Sequence, residues 1–162
     1  MPHRPLLFLD VDGPLIPYAV GEGRPSPGYA PLRLGGARRW LNPRHGAALL
    51  ALPYRPVWAT TWEHDANEVL APLLGLPELP VVEWPDGAPA YGRTHFKTAV
   101  LLDYAAGRPF AWVDDEITDG DRDFTAEHHA APALLHRVDP ALGLGADDFA
   151  ALARWAGRLT RD

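Results

Sequence analysis

The sequence predicts an α/β protein: a doubly wound parallel sheet of Rossmann-like topology in three layers, α/β/α. Three observations predict it. Short apolar runs alternate with stretches of helical character along the whole chain, the order that builds parallel strands joined by right-handed helical crossovers. Several of those runs end directly in acids or hydroxyls, the residues that gather where ligands bind at the carboxyl ends of parallel strands. Finally, 162 residues that are 47% hydrophobic can bury one core, and no linker or internal repeat divides them, so residues 1–162 read as a single domain.

The first apolar run, Pro5 to Val11, reads as a buried strand. Gly21 to Gly36 is rich in Gly and Pro and reads as loop, with a short hairpin near Ala30 to Leu34. Asn42-Pro43 is a helix start, a capping residue followed by proline at the first helical position. That helix runs to about Leu52. Pro56 to Ala59 is the second strand. Thr60 and Glu63 have the spacing of a capping box for a helix that ends at Gly75. Leu79 to Val82 is a third short strand and Glu83 to Arg93 a loop. A helix opens at Thr94 or His95 and stops at Gly107. Pro109 to Val113 and Ala133 to Val138 are the fourth and fifth strands, with a short helix, Asp121 to His129, between them. Asp147 or Asp148 caps a last amphipathic helix, Phe149 to Leu159.

Composition excludes several classes. No apolar run approaches the ~18 residues that span a bilayer, so no membrane association is expected. The N-terminal run is broken at once by acids and makes a poor signal peptide, so the cytoplasm is the expected compartment. With no cysteine, disulfides, thiolate catalysis and Cys-based metal sites are ruled out. A net charge of -6 is the wrong sign for a protein that coats nucleic acid through bulk charge. Arg38-Arg39-Trp40 is a lone basic and aromatic cluster, read most simply as an exposed loop. Among 15 basic residues there is one lysine, Lys97. A compact ammonium does what a forked guanidinium cannot, so this position invites a chemical reading.

The candidate chemistry lies at the strand ends. Asp10, Asp12 and Gly13 follow the first strand, Thr60 and Thr61 the second, and Asp114 and Asp115 the fourth. Lys97 sits near the start of the helix leading into the fourth strand. Acids set directly after buried residues are costly without partners. A divalent cation is the simplest shared partner, and hard oxygen ligands favour Mg²⁺ over zinc. Asp10 and Asp12, at i and i+2, project to one face of an extended strand, and Gly13 allows a sharp turn after them. Two such carboxylates can divide labour, one ionised and one an acid and base. The later acids, Asp119, Asp121, Asp123 and Glu127, read as a solvated loop and a helix N-terminus. The Asp119 stretch fails as a calcium loop, since its sixth and twelfth positions hold Phe124 and Ala130. His64 and His95 fall near the rim, whereas the adjacent His128 and His129 cannot readily face one metal. Trp58 and Trp112 read as core, and Trp62 as a residue of the pocket entrance.

These elements, in this order, resemble the haloacid dehalogenase superfamily of phosphohydrolases. The residues carrying the resemblance are Phe8-Leu9-Asp10-Val11-Asp12-Gly13-Pro14-Leu15, Val57-Trp58-Ala59-Thr60, Lys97, and Ala111-Trp112-Val113-Asp114-Asp115. Pro14 departs from the Thr or Val usual in the family. The resemblance implies a Mg²⁺-dependent phosphomonoesterase. Asp10 would attack phosphorus to form an aspartyl-phosphate, and Asp12 would protonate the leaving oxygen and then activate water. Thr60, or Thr61 if the strand runs one residue longer, would hold phosphoryl oxygens together with Lys97. Asp10, the main-chain carbonyl of Asp12, and Asp114 would hold Mg²⁺. Asp115 or Asp119 would be the second acid of the last motif, Asp115 as a further metal ligand or as the group orienting a metal-bound water.

By the same resemblance the chain is a capless member, with only a short flap at about 18–40, most like the domain associated with RNA-repair proteins. An open site suits a phosphorylated macromolecule or a nucleic-acid end. Two other classes stay open: a catalytically inactive phosphate-binding module of the same fold, and a phospho-accepting receiver-like signalling domain. The chain order of Lys97 before Asp114 argues against the receiver. A dehalogenase of this fold would not need Asp12.

Overall fold

The computed structural model describes residues 3–18, 25–87 and 94–161. Four strands form one parallel sheet: β1 (Leu6–Leu9), β4 (Arg55–Trp58), β5 (Phe110–Asp114) and β6 (Ala133–Arg137), in the order β4-β1-β5-β6. Helices cover both faces, so the α/β architecture, compatible with a Rossmann-like fold, is present. β2 (Ala30–Leu34) and β3 (Ala37–Leu41) make a separate antiparallel hairpin. The expected flap therefore holds a longer hairpin than the sequence suggests, and its residues 19–24 lie outside the described ones. The 88–93 part of the expected Glu83–Arg93 loop does too.

The sheet is buried because its strands are apolar on both sides, as parallel strands must be. Leu7 and Leu9 of β1, with Ala111 and Val113 of β5, face one core, which also takes Leu49 of α1 (His45–Leu50), Leu74 of α2 (Ala71–Leu74) and Leu152 of α5 (Ala146–Leu159). Leu6 and Phe8, with Phe110 and Trp112, face the other, against Leu101 and Ala105 of α3 (Lys97–Ala105). α4 (Asp119–His128) packs beside α3. Trp58 and Trp112 are core residues, as expected. Gly46 in α1 lies against the Leu74 carbonyl, where any Cβ would overlap it. The chain leaves β1 towards β4 and later returns to β5 on its other side. This reversal of direction opens a crevice at the carboxyl end of β1.

Some boundaries differ from the sequence reading. Leu79 to Val82 is not a full strand, because only Val81 bridges to Trp58. Asn67 instead holds this segment, donating to the Leu79 carbonyl at 2.8 Å and accepting from its N–H at 2.9 Å. The capping box at Thr60 does not form. Glu63 takes a left-handed backbone with φ 48°, and winding begins only with a π-helical turn, Ala66–Leu70. α5 starts at Ala146, so its cap is Gly145 and not an aspartate. Asp148 contributes from the first turn, accepting from the Gly145 N–H at 2.8 Å. α1 begins at His45, two residues later than expected, with Arg44 and not Asn42 at its cap; Asn42 instead holds the preceding turn, accepting from the Arg44 N–H at 3.0 Å. Among the described residues no helix is long and apolar enough to cross a membrane.

Candidate active site

The carboxyl ends of β1, β4 and β5 bring most of the predicted residues together. Asp10 follows β1 directly, Thr60 lies two residues past β4, Asp114 ends β5 with Asp115 after it, and Lys97 opens α3. The Lys97 ammonium, 3% exposed, is the centre. It lies 3.1 Å from Asp10 Oδ1 and 2.9 Å from Asp114 Oδ2, and donates to the Ala59 carbonyl at 2.9 Å. An ammonium has three protons, and here each has an acceptor. Burial works to lower the Lys97 pKa, but Asp10 and Asp114 outweigh it and hold the group above its ordinary value. Burial raises Asp10 well above the usual carboxylate range against the pull of Lys97, and Asp114 adds to the rise.

Asp115, not Asp119, joins this cluster. One oxygen each from Asp10, Asp114 and Asp115 lie within 4.8 Å of one another, all three residues buried. The Asp119 side chain is almost fully exposed and pairs with Arg122 at 3.1 Å. Asp114 Oδ1 also accepts from the Glu116 N–H at 3.0 Å. Burial lifts the Asp115 pKa, while the Tyr18 hydroxyl, which donates to Asp115 Oδ2, pulls the other way. Gly13 makes the room. Its φ is +103°, and a Cβ there would sit 2.7 Å from Asp115 Cγ. The turn from Val11 to Ile16 closes with Gly13 donating to the Ile16 carbonyl at 2.9 Å.

Asp12 is set apart. β1 ends at Leu9, so Asp10 and Asp12 do not share one strand face as the spacing implies. Asp10 turns inward to Lys97, whereas Asp12 is exposed and accepts from Trp62 Nε1 at 3.0 Å. Thr60 is fully buried, its hydroxyl accepting from the Trp62 N–H at 3.1 Å, while Thr61 is exposed. Of the two threonines, Thr60 is the buried one, and it directly follows Ala59, whose carbonyl takes the Lys97 ammonium.

Other side chains at the rim carry no sequence signal of their own. Tyr18 reaches Asp115. Trp84 donates to the Thr60 carbonyl at 2.9 Å, with the Lys97 ammonium 5.7 Å from its ring centre. Asp121 stands in the first turn of α4, as the helix N-terminus reading expects, but it is not solvated. It is fully buried. One oxygen accepts from the His95 N–H at 2.6 Å and the Thr98 hydroxyl at 2.7 Å, the other from the Thr118 N–H at 2.8 Å. The residues on either side of Lys97 are thus tied to the start of α4. The sequence signal was available: Thr118 and Asp121 have capping-box spacing, and that box forms. Burial, however, depends on α3 packing against α4. The histidines are occupied elsewhere. His64 pairs with Glu83 at 2.7 Å and His95 with Glu116 at 2.7 Å. His128 bonds the Phe124 carbonyl and His129 the Arg108 carbonyl, so the adjacent pair diverges.

Three buried carboxylates lie close together and one ammonium pairs with two of them, a set that is costly to bury fully ionised. With a glycine holding open the space beside one of them, the set suits a divalent cation bound through hard oxygens. No protein-family model matches the chain, and no curated protein matches it.

Proposed function

We propose that the chain hydrolyses phosphate monoesters through a covalent aspartyl-phosphate on Asp10, with Mg²⁺ held by Asp10, Asp114 and Asp115 and by the main-chain carbonyl of Asp12. The observation that carries this reading is the buried Lys97 ammonium between Asp10 and Asp114, with Asp115 close by, at the crevice beside β1. The residue pattern of the haloacid dehalogenase superfamily supports the same chemistry. When bound, Mg²⁺ would neutralise charge shared by the carboxylates and the phosphoryl group.

The protein's own groups then have these tasks. An Asp10 oxygen attacks phosphorus while the ester oxygen leaves with the bonding pair and takes a proton from Asp12. Water next attacks the same phosphorus, Asp12 takes its proton, and the bond from phosphorus to Asp10 breaks, releasing inorganic phosphate and free Asp10. Lys97 keeps the nucleophile from being repelled by the incoming anion, a charge-neutralising and positioning task typical of phosphoryl transfer. Thr60 orients a phosphoryl oxygen through its hydroxyl proton, since its lone pair already takes the Trp62 N–H. Asp12 stands exposed on the solvent side of the turn, where leaving group and water arrive. With no large cap between the motifs, the substrate we favour is a phosphorylated macromolecule or a nucleic-acid end.

The test is Mg²⁺-dependent release of p-nitrophenolate from p-nitrophenyl phosphate by wild type and by Asp10→Asn, followed by phosphorylated RNA ends, nucleotides and sugar phosphates. Turnover that needs Mg²⁺ and is lost in Asp10→Asn is expected. Mg²⁺ and phosphate binding without turnover would assign an inactive binding module instead. Equal turnover in Asp10→Asn would remove Asp10 as nucleophile.

A further inference from the structure

The hairpin of β2 and β3 contains the one sequence cluster that the catalytic reading leaves unused. Its register pairs Pro31 with Trp40 and Arg33 with Arg38. Residues directly opposite in an antiparallel pair share a face, and so do neighbours two apart along each strand. Pro31, Arg33, Arg38 and Trp40 therefore make one face. Leu32 and Leu34 lie on the other and pack on the core. The first face looks outward: Arg33 and Arg38 are exposed, Trp40 is half-buried, and the Arg38 guanidinium lies 5.8 Å from the Trp40 ring centre.

Two guanidiniums directly opposite each other repel, and among the described residues no acid offsets them. From residue 25 to residue 62 there are five arginines and not one Asp or Glu, in a chain whose net charge is -6. Among the described residues, Arg33 and Arg38 have no salt bridge. Arg33 only donates to the Gly36 carbonyl at 3.4 Å. The basic face is also placed usefully. Tyr29, next to the open end of the hairpin, has its one hydroxyl proton shared between the carbonyls of Pro14 and Leu144, both at 3.0 Å. Pro14 belongs to the turn that follows Asp10, so the hairpin is anchored to the same rim as the site.

We propose that this face binds a single-stranded nucleic acid, with Arg33 and Arg38 on successive phosphates and Trp40 stacking on a base. Paired guanidiniums answer the phosphates, and an aromatic ring beside them answers the bases, the combination by which single strands are held without sequence preference. The surface deepens the proposed phosphatase reading by naming a polynucleotide as what is led to the rim, but it can be tested apart from turnover.

Binding of a fluorescein-labelled oligouridylate of about 12 nucleotides to the full chain, followed by anisotropy at about 50 mM salt and upward, is the test. Arg33→Gln with Arg38→Gln should weaken binding at least about tenfold and lower the slope of log affinity against log salt by about 1.4, from two lost phosphate contacts. Trp40→Ala should weaken oligouridylate by about tenfold and leave inorganic polyphosphate of matched length unaffected. Melting temperatures should stay at the wild-type value, which separates lost binding from lost fold. No binding by wild type, or equal binding by wild type and the double variant, overturns the proposal. So does a Trp40→Ala protein that still holds oligouridylate like wild type, which would leave a plain polyanion surface. Failure here with Mg²⁺-dependent turnover of p-nitrophenyl phosphate intact would leave the phosphatase reading standing. Binding without turnover would do the reverse.

Discussion

Replacing Lys97 by methionine keeps most of the side-chain volume and removes the charge. Three acceptors lose their donor at once: Asp10 Oδ1 at 3.1 Å, Asp114 Oδ2 at 2.9 Å and the Ala59 carbonyl at 2.9 Å. Removing one partner of a buried ion pair costs about 3–5 kcal/mol, because the remaining charge stays buried without compensation. Part of that cost is escaped by protonation. Burial already lifts Asp10, and without the ammonium its pKa rises further. A carboxylate whose folded pKa lies above its unfolded one makes the folded state bind more protons, so stability grows as pH falls. Urea unfolding should therefore show Lys97→Met about 3 kcal/mol less stable than wild type at neutral pH, with the deficit shrinking towards pH ~5. Mg²⁺ should restore more stability to the variant than to wild type, since a cation replaces the lost charge. A deficit below about 1 kcal/mol, or one that does not change with pH, would refute the central place given to Lys97. For turnover, Lys97→Arg should lose at least about tenfold in kcat/KM, because a planar fork cannot occupy the space of a compact donor. Full activity in that variant would return the lone lysine to chance.

Mg²⁺ at about 100 times its Kd should stabilise the wild type by about 2.7 kcal/mol, and Asp114→Asn should abolish the gain; equal melting shifts in both would remove Asp114 from the site. Asp121→Asn places an amide against the Thr118 N–H and should cost about 1–3 kcal/mol in urea unfolding while lowering kcat more than it raises KM, by displacing Lys97. Burial holds the His45 pKa down to about 4, so between pH ~6.5 and about 4 the unfolded chain takes up a proton that the folded one refuses. Stability should fall by about 2.5 kcal/mol from pH ~7 to pH ~4.5 from this group, and His45→Gln should lack that part of the loss; identical acid profiles would acquit His45. Asp12→Asn should slow alkyl phosphates more than p-nitrophenyl phosphate, whose leaving group needs little protonation, and equal losses on both would contradict Asp12 as the acid.

The parts of the fold legible in the sequence are those fixed by local chemistry. Leu6–Leu9 and Phe110–Asp114 are apolar enough to be buried on both faces, and that alone marks them as parallel strands. Asn42 marks the turn into α1 because its side chain reaches the Arg44 N–H two residues on, although the helix itself starts only at His45. Leu79–Val82 has the composition of a strand, yet Asn67, twelve residues before Leu79, holds the segment by its side chain and leaves a single bridge. Periodicity has no term for such a contact. Asp119 and Asp121 show the same limit within the site. Two residues apart in an acidic run, they look alike in sequence. Packing of α3 on α4 leaves the first in water and shuts the second in with four donor atoms: the His95 N–H, the Thr98 hydroxyl, and both the N–H and hydroxyl of Thr118.

Asp10 and Asp12 carry the same argument into chemistry. The motif shows two carboxylates a residue apart and leaves their roles symmetrical. The structure breaks the symmetry at Leu9, where β1 ends, and at Gly13, whose left-handed backbone reverses the chain. Asp10, 7% exposed, falls on the inner side of that turn against an ammonium. Asp12 falls on the outer side, exposed, and accepts from the Trp62 indole N–H. A carboxylate held against a fixed cation is kept oriented when substrate binds, which suits attack on phosphorus. One exposed at the rim is open to leaving group and water, which suits an acid and base. A Gly13→Ala substitution should therefore do more than strain the turn. It pushes a methyl into Asp115 and tilts the segment that keeps Asp10 and Asp12 in different surroundings, so both Mg²⁺ affinity and the selectivity between alkyl and nitrophenyl esters should fall together. A variant that lost stability by about 2 kcal/mol but kept both would show that the proposed division of labour does not depend on the turn.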